Sequence, residues 1–216
     1  MQPTDLQHDT HLPTISIVDD DAALRLSLVD LFESLEIRAM SYGSGDDFLS
    51  RADLGKAGCV LLDIHMPGMN GLDIQKQLAA IECMLPIVFM TGDATVPMSV
   101  QAMKRGASDF LLKPLDRPAL VGATDRAIQL NAAKRAAAVE REITISAIRT
   151  LTPREREVMR HVAMGRLNKQ IAHELAVSEM MIKIHRSRMM RKMHVGSLAE
   201  LVKKLDMASK EYDVYL

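Results

Sequence analysis

Short apolar runs that alternate with helix-like stretches constrain the fold of the first 130 residues more than any other feature of the sequence. Strands of a parallel sheet are buried on both faces, so they are apolar throughout and do not alternate with polar residues. Runs of this kind, separated by helices, predict βα units and a doubly wound α/β domain with a five-stranded parallel sheet. The runs lie at residues 15–18, 37–42, 59–62, 86–90 and 109–112, and the second is the weakest.

The stretches between the runs have the length and composition of helices. They cover residues 22–35, 45–51, 72–80 and 96–105, and a fifth begins at Arg117. The fifth contains little Gly or Pro as far as Arg149, which predicts that it continues as a helical linker over residues 131–149. Its charged piece, residues 134–142, has no apolar stripe, and we expect that piece to be solvated.

Polar side chains follow four of the five predicted strands. In open α/β sheets the working site lies beyond the carboxyl ends of the strands, so we expect these side chains to converge on one crevice. They are Asp19 and Asp20 after the first strand, Asp63 after the third, Thr91 after the fourth and Lys113 after the fifth.

Three carboxylates in one crevice repel one another unless a cation lies between them, and Mg²⁺ is the natural cation for carboxylate oxygens. A carboxylate can also attack phosphorus and form an aspartyl phosphate, whose oxygens need neutralising charge and hydrogen-bond donors. Lys113 and Thr91 offer these two groups. The simpler interpretation is that Asp residues cap helices, which suffices for Asp21 but not for the order of acid, acid, hydroxyl and Lys at four strand ends.

Four motifs occur in order in this half of the chain: Ile17-Val18-Asp19-Asp20-Asp21, Leu62-Asp63-Ile64-His65-Met66-Pro67-Gly68-Met69-Asn70-Gly71, Met90-Thr91-Gly92 and Phe110-Leu111-Leu112-Lys113-Pro114. Together they resemble the receiver domain of two-component response regulators, over about residues 12–130. The resemblance implies that Asp63 accepts a phosphoryl group from a histidine kinase.

The same resemblance assigns roles to the other residues of the crevice. Thr91 would move toward the phosphoryl group and Phe110 would swing inward, although ordinary core packing explains Phe110 equally well. The Lys113–Pro114 bond would be cis. Mg²⁺ would be held by Asp19, Asp20, Asp63 and the backbone carbonyl of His65, and the phosphoryl oxygens would be contacted by Thr91 and Lys113.

The C-terminal part of the chain is basic and helical. Residues 1–130 carry a net charge of −8 and residues 152–216 a net charge of +5, which suggests different partners for the two halves. Helices are predicted over residues 153–164, 169–175, 179–193 and 198–207, and a tight turn over residues 176–178 fits a helix-turn-helix. The predicted caps are Thr152 with Glu155 as a capping box, Asn168, Ser178, and Gly165 as a C-terminal stop.

The helix over residues 179–193 has the features of a recognition helix. Five basic residues and no acidic residue occur between residues 180 and 192. A basic solvated helix in a small bundle would show the same charge run, so the run alone leaves both interpretations open. On a helical period, one face holds Lys183, Ser187 and Arg191 with Arg186 beside it, and the opposite face, expected to pack inward, holds Ile182, Met189 and Met193.

The C-terminal part contains the motifs Leu151-Thr152-Pro153-Arg154-Glu155-Arg156-Glu157-Val158, Gly165, Asn168-Lys169-Gln170-Ile171-Ala172 and Ile182-Lys183-Ile184-His185-Arg186. On these motifs, residues 149–209 resemble the LuxR-type helix-turn-helix, and the whole chain is similar to a NarL/FixJ response regulator. The resemblance places the helix-turn-helix at residues 168–187, with Met181 where the family usually has a Thr that can contact phosphate. The DNA contacts implied are Asn168, Lys169, Met181, Lys183, Ile184, His185, Arg186, Ser187, Arg188 and Arg191.

Together these features predict a transcription regulator that is not an enzyme, apart from self-directed phosphoryl transfer and loss at Asp63. Phosphorylation would promote homodimerisation and sequence-specific binding to double-stranded promoter DNA, with RNA polymerase as a further partner. The alternative is a DNA-binding protein whose receiver is a dimer module independent of phosphorylation. The expected order is a disordered tail (1–12), receiver (13–130), helical linker (131–149), a four-helix DNA-binding domain (150–209) and a tail (210–216), with no membrane segment and a cytoplasmic location.

Overall fold

The computed structural model describes residues 12–93 and 96–208, except the side chain of residue 96. The predicted C-terminal tail (210–216) falls outside these ranges, and so does the predicted N-terminal tail (1–12) apart from Leu12. The chain divides between Arg135 and Ala136 into two compact units. Within the described ranges, every helix is too short or too polar to cross a membrane.

The N-terminal unit is built on five parallel strands, and every strand end lies within one residue of its predicted position. The strands are β1 (Thr14–Val18), β2 (Arg38–Tyr42), β3 (Gly58–Asp63), β4 (Ile87–Thr91) and β5 (Asp109–Leu112). Their order in the sheet is β2-β1-β3-β4-β5, and all neighbours pair in parallel. The prediction of a doubly wound five-stranded sheet is confirmed.

Helices cover both faces of this sheet, which is why its strands are apolar throughout. They are α1 (Ala22–Ser34), α2 (Gly45–Arg51), α3 (Gly71–Ala80), α4 (Val96–Lys104) and α5 (Arg117–Arg149). Successive strand residues point to opposite faces. Val60 and Leu62 of β3 therefore lie in one cluster with residues of α2, α3 and α4, whereas Cys59 and Leu61 lie in another with residues of α1 and α5.

The direction of the chain changes between β1 and β3. From β1 the chain continues to β2 on one side and then returns to β3 on the other side of β1. At such a switch point a crevice forms beyond the carboxyl ends of the strands. Asp19 directly follows β1 and Asp63 is the last residue of β3, so both lie at this crevice.

Helix α5 is 33 residues long and contributes side chains to both units. In the N-terminal unit its buried Asn131 accepts a hydrogen bond from the Gly58 N–H (3.1 Å) and donates one to the Met84 carbonyl (2.8 Å). In the C-terminal unit its Ile145 and Ile148 belong to the hydrophobic core. Between these ends, no residue from 134 to 142 is buried, in agreement with the expected solvated stretch.

The C-terminal unit contains the four predicted helices, each ending within one residue of its predicted position. They are α6 (Pro153–Ala163), α7 (Asn168–Glu174), α8 (Glu179–Lys192) and α9 (Leu198–Ala208). One hydrophobic core joins all four to the end of α5, with Val158, Ile171, Ile182 and Leu201 fully buried. Helices α7 and α8 are the two members of the helix-turn-helix.

Side-chain caps begin two of these helices as predicted. The Thr152 hydroxyl accepts a hydrogen bond from the Glu155 N–H (3.2 Å), and the Glu155 carboxylate accepts one from the Thr152 N–H (2.9 Å). This reciprocal pair is the capping box expected at α6. At α8, the Ser178 hydroxyl accepts a hydrogen bond from the Met181 N–H (3.2 Å).

The predicted cap of α7 is wrong. Asn168 is the first residue of the helix, and the cap position belongs to Leu167. The Asn168 side-chain oxygen instead accepts a hydrogen bond from Arg186 of α8 (3.0 Å), so it is not available to the helix terminus. The Gln170 side chain closes this turn by accepting a hydrogen bond from the Leu167 N–H (2.8 Å).

Candidate functional site

Three carboxylates lie together beyond the carboxyl ends of β1 and β3. One oxygen from each of Asp19, Asp20 and Asp63 lies within 4.8 Å of the other two. Asp19 is fully buried and Asp63 nearly so, whereas Asp20 is exposed. Because two of these charges are withdrawn from water, they need a compensating cation.

Lys113 supplies one such positive charge. The segment after β5 brings its Nζ to 2.7 Å from Oδ2 of Asp19 and 2.7 Å from Oδ2 of Asp63. Burial lowers the pKa of the Lys113 ammonium, but the hydrogen bonds to the two carboxylates outweigh burial and hold that pKa above its ordinary value. Burial raises the pKa of Asp19 in spite of the Lys113 contact.

The three successive Asp residues after β1 differ in their structural roles. The Asp21 carboxylate caps α1 by accepting hydrogen bonds from the N–H groups of Ala23 (2.9 Å) and Leu24 (3.1 Å). The Asp19 carboxylate accepts a hydrogen bond from the Asp21 N–H (2.9 Å), while its other oxygen contacts the ammonium in the crevice. Helix capping therefore accounts for Asp21 and leaves Asp19 and Asp20 to the crevice.

The start of α3 packs directly against the backbone of Asp63. The Gly71 N–H donates a hydrogen bond to the Ile64 carbonyl (3.0 Å), and the Asn70 side chain caps the helix at the Asp73 N–H (2.9 Å). A Cβ at Gly71 would collide with the carbonyl oxygen of Asp63. Only Gly allows this close approach, so the residue type at position 71 decides the path of the chain beside Asp63.

Thr91 and His65 meet at one side of the crevice. Thr91 is fully buried at the end of β4, and its Oγ1 lies 3.1 Å from Nδ1 of His65. The sequence predicts a role only for the backbone carbonyl of His65 and does not reveal this side-chain contact. The position of His65 two residues after Asp63 does not reveal which way its ring points, because the loop backbone decides that.

Two further features of the receiver motifs are visible on β5 and after it. Phe110 is half-buried beside the core, and its ring centroid lies 6.5 Å from that of Phe89. The packing interpretation of Phe110 therefore describes the present arrangement. The Lys113–Pro114 peptide bond is cis, as expected.

The two faces of α8 differ as the sequence predicts. The buried face packs into the core of the C-terminal unit and the other face is open to solvent. The fully buried residues are Ile182, Met189 and Met193, and the exposed ones include Met181, Lys183, Ile184, Ser187, Arg188 and Arg191.

The remaining predicted DNA contacts are two residues of α7, Asn168 and Lys169, and two of α8, His185 and Arg186. Lys169 is exposed on α7, and His185 is half-buried on α8. Arg186 and Asn168 are both half-buried and hydrogen-bonded to each other, which couples α8 to the start of α7. Lys183 forms an ion pair of 3.4 Å with Glu179 one turn earlier.

A buried carboxylate, Glu155, also orders the C-terminal unit, and the sequence predicts only its part in the capping box. Besides the capping box, Glu155 accepts a hydrogen bond of 2.6 Å from the Lys192 ammonium at the end of α8. Burial alone would raise the pKa of Glu155, but the hydrogen bonds from Lys192 and Thr152 outweigh it and hold that pKa below its ordinary value. A partner 37 positions away leaves no local signal in the sequence.

A doubly wound domain with an acidic crevice, followed by a helix-turn-helix, defines a class of two-domain transcription regulators. Comparison with known families agrees with this class. The sequence model of the family described as "Response regulator receiver domain" matches residues 15–125. The model of the family described as "Bacterial regulatory proteins, luxR family" matches residues 149–205. The chain thus belongs to the NarL/FixJ family of two-component response regulators.

Individual relatives extend this similarity over both units. The tetrathionate response regulatory protein TtrR of Salmonella typhimurium is 41% identical over 201 residues, which cover 93% of this chain and 96% of that protein. The transcriptional regulatory protein FixJ of Bradyrhizobium diazoefficiens is 38% identical over 190 residues, covering 88% and 92%. The solved structure of the response regulator StyR is 39% identical, covers 90% of this chain and 98% of StyR, and has a TM-score of 0.78.

Membership in this family has consequences for partners and ions. A receiver joined to a LuxR-type domain implies interaction with a sensor kinase and binding to DNA. Receiver domains typically use Mg²⁺ in their acidic pocket. The three carboxylates of the crevice fit that ion, because Mg²⁺ is a hard cation that prefers oxygen ligands.

Proposed function

We propose that Asp63 accepts a phosphoryl group from a sensor histidine kinase, and that the phosphorylated chain binds promoter DNA as a homodimer. The observation that carries this proposal is the contact between the nearly buried Asp63 and Lys113, with Asp19 and Asp20 beside them. A carboxylate in this setting has both a cation and ligand oxygens within reach of an incoming phosphoryl group. Its enzymatic chemistry would be limited to phosphoryl transfer to Asp63 and loss from it.

The transfer would proceed by direct attack on phosphorus. A carboxylate oxygen of Asp63 forms a bond to the phosphorus of a phosphohistidine while the N–P bond breaks, and the imidazole leaves and takes up a proton from water. The Lys113 ammonium, which now contacts Oδ2 of Asp63, would then pair with an oxygen of the new phosphoryl group. Hydrolysis of the acyl phosphate by water would return the carboxylate and inorganic phosphate.

The residues that would hold Mg²⁺ are Asp19, Asp20, Asp63 and the backbone carbonyl of His65. When bound, the ion supplies positive charge that stabilises the phosphoryl oxygens during transfer. The hydrogen bond from the Asp21 N–H restricts the Asp19 carboxylate to an orientation toward the crevice.

The switch would begin at Thr91, whose hydroxyl would donate a hydrogen bond to a phosphoryl oxygen. This movement would rearrange α4 and β5, with Phe110 turning inward, and the rearranged face would form the receiver dimer. Large apolar side chains are available there, since Val100, Met103 and Leu112 are all exposed. Contact between two copies on this face would bury them.

Dimerisation would present two α8 helices to two half-sites of DNA. Basic side chains of α8 would contact phosphates, and others in the first half of the helix would contact base edges. We assign residues 13–130 to the receiver, 131–149 to the linker and 150–209 to the DNA-binding domain. A regulator of this kind would act on promoters in the bacterial cytoplasm, with RNA polymerase as a further partner.

The acceptor assignment is tested with a small-molecule phosphodonor. The purified chain is incubated with acetyl phosphate and Mg²⁺, and phosphate incorporation is measured on phosphate-affinity gels and located by mass spectrometry. We expect one phosphate per chain in the unaltered protein and in Asp21→Asn, which keeps a helix-capping side chain, and none in Asp63→Asn. Equal labelling of Asp63→Asn would show that another residue is the acceptor.

A further inference from the structure

A side-chain contact in the crevice has no part in the phosphoryl transfer described above. The imidazole of His65 lies against the hydroxyl of Thr91, with Nδ1 and Oγ1 3.1 Å apart. We propose that His65 is a positioning residue that holds Thr91 in the unphosphorylated arrangement and thereby opposes the switch. This inference rests on the proposed function, because it assumes that Thr91 moves toward a phosphoryl group on Asp63.

His65 contacts both Asp63 and Thr91, through its backbone and its ring respectively. Its backbone N–H donates a hydrogen bond to Oδ1 of Asp63 (3.1 Å), while its ring reaches the end of the neighbouring strand β4. Thr91 is fully buried, whereas His65 is exposed, so the exposed ring contacts the buried hydroxyl. Two further contacts involve Asp93, whose carbonyl lies 3.2 Å and whose N–H lies 3.3 Å from the Thr91 oxygen.

The valence of a hydroxyl makes these contacts compete with a phosphoryl group. The Thr91 hydroxyl has one hydrogen to donate, and a phosphoryl oxygen would require that hydrogen. If Nδ1 of His65 accepts it, the competition is direct. If Nδ1 carries its own hydrogen and donates to Oγ1, that hydrogen bond still has to break when Thr91 moves. Either tautomer of His65 therefore stabilises the resting position of Thr91.

A contact made only in the resting state weakens the binding of every ligand that requires the switched state. The Kd rises by the factor with which the contact shifts the equilibrium toward the resting state. A single hydrogen bond changes such an equilibrium by about two- to tenfold. Removing the imidazole of His65 should therefore strengthen the binding of a phosphoryl group or its mimic by that factor.

The test measures the Kd of beryllofluoride, a phosphoryl mimic, in the presence of Mg²⁺ by ¹⁹F NMR on the full chain. We expect His65→Ala to lower the Kd about two- to tenfold. His65→Asn carries a polar atom at the position of Nδ1 and should restore the unaltered Kd, whereas His65→Gln carries it one bond farther and should resemble His65→Ala. All three substitutions leave the backbone carbonyl of residue 65 in place.

A Thr91→Ala background separates positioning from any other effect of the ring. There we expect His65→Ala to leave the Kd unchanged, because the partner hydroxyl is gone. An unchanged or higher Kd for His65→Ala, or the same fall in the Thr91→Ala background, would overturn the proposal. Equally tight binding by Asp63→Asn would reject the acceptor site itself, and with it the role of His65.

Discussion

Lys113 joins two carboxylates that lie 94 and 50 positions earlier in the chain, at Asp19 and Asp63. Their convergence was predictable, because the carboxyl ends of parallel strands meet at one edge of the sheet. The contact of His65 with Thr91 was not predictable, because loop backbone angles decide where that ring points. Sequence patterns therefore place residues at a site more readily than they reveal which side chains touch there.

Glu155 allows a prediction about the stability of the C-terminal unit. Replacing it by Gln removes the carboxylate that accepts from Lys192 and should lower the free energy of unfolding of the C-terminal unit by about 1–3 kcal/mol at pH 7. Because the folded-state pKa of Glu155 lies below its ordinary value, its contribution is present above that value, about 4.5, and is lost as the pH falls through the folded-state pKa.

The stability difference between the unaltered chain and Glu155→Gln should therefore stay constant as the pH is lowered from 7 and shrink only below about 4.5. Hydrogen exchange of the amides of α6 and α8, compared at each pH, measures it. Glu157→Gln is the matched control, since Glu157 forms only a partly exposed ion pair with Arg154 and should change stability little. A stability difference that stays constant below about pH 4.5 would contradict this role of the Glu155 carboxylate.

Element boundaries were the most predictable level of this structure, and β3 and α6 show why. Continuous apolar residues mark β3 as a strand covered on both faces, and Thr152 with Glu155 mark the start of α6. The cap of α7 was predicted wrongly because Asn168 can bond either to its own helix or to a neighbour. Its partner, Arg186, lies 18 positions later, beyond the reach of local sequence patterns.

The junction of β3 and α3 allows a prediction about the rate of phosphorylation. Gly71→Ala places a methyl group against the carbonyl of Asp63, so the backbone at Asp63 must shift. We expect the rate of phosphorylation by acetyl phosphate to fall at least about tenfold, because phosphoryl transfer depends on the position of the attacking oxygen. Gly92→Ala is the control, since a Cβ there meets open space. Equal rates in both variants would contradict the proposed role of Gly71.

Helix α8 allows a prediction about the salt dependence of DNA binding. Arg191 is exposed on the face assigned to DNA, so Arg191→Ala should weaken binding to all sequences alike and reduce the slope of log affinity against log salt by about one. Lys203→Ala, an exposed basic residue on α9, should leave the slope unchanged. Binding titrations at several salt concentrations measure both slopes, and equal slopes for both variants would remove Arg191 from the DNA face.

The order of the two domains and their opposite net charges were predictable from the sequence. The contribution of α5 to the C-terminal core was not, because Ile145 and Ile148 follow a charged, Ala-rich stretch that looks solvated along its length. The route by which the proposed phosphorylation would reach the DNA-binding domain is also absent from sequence patterns. It depends on the relative stability of two states, and not on the contacts of one.

The proposed control of DNA binding by phosphorylation of Asp63 can be tested with DNA selected from a random pool. Binding is measured with and without acetyl phosphate plus Mg²⁺, for the unaltered chain and for Asp63→Asn. We expect the phosphodonor to tighten DNA binding by the unaltered chain only. Equal binding in every condition would contradict the switch and favour a receiver that acts as a phosphorylation-independent dimer module.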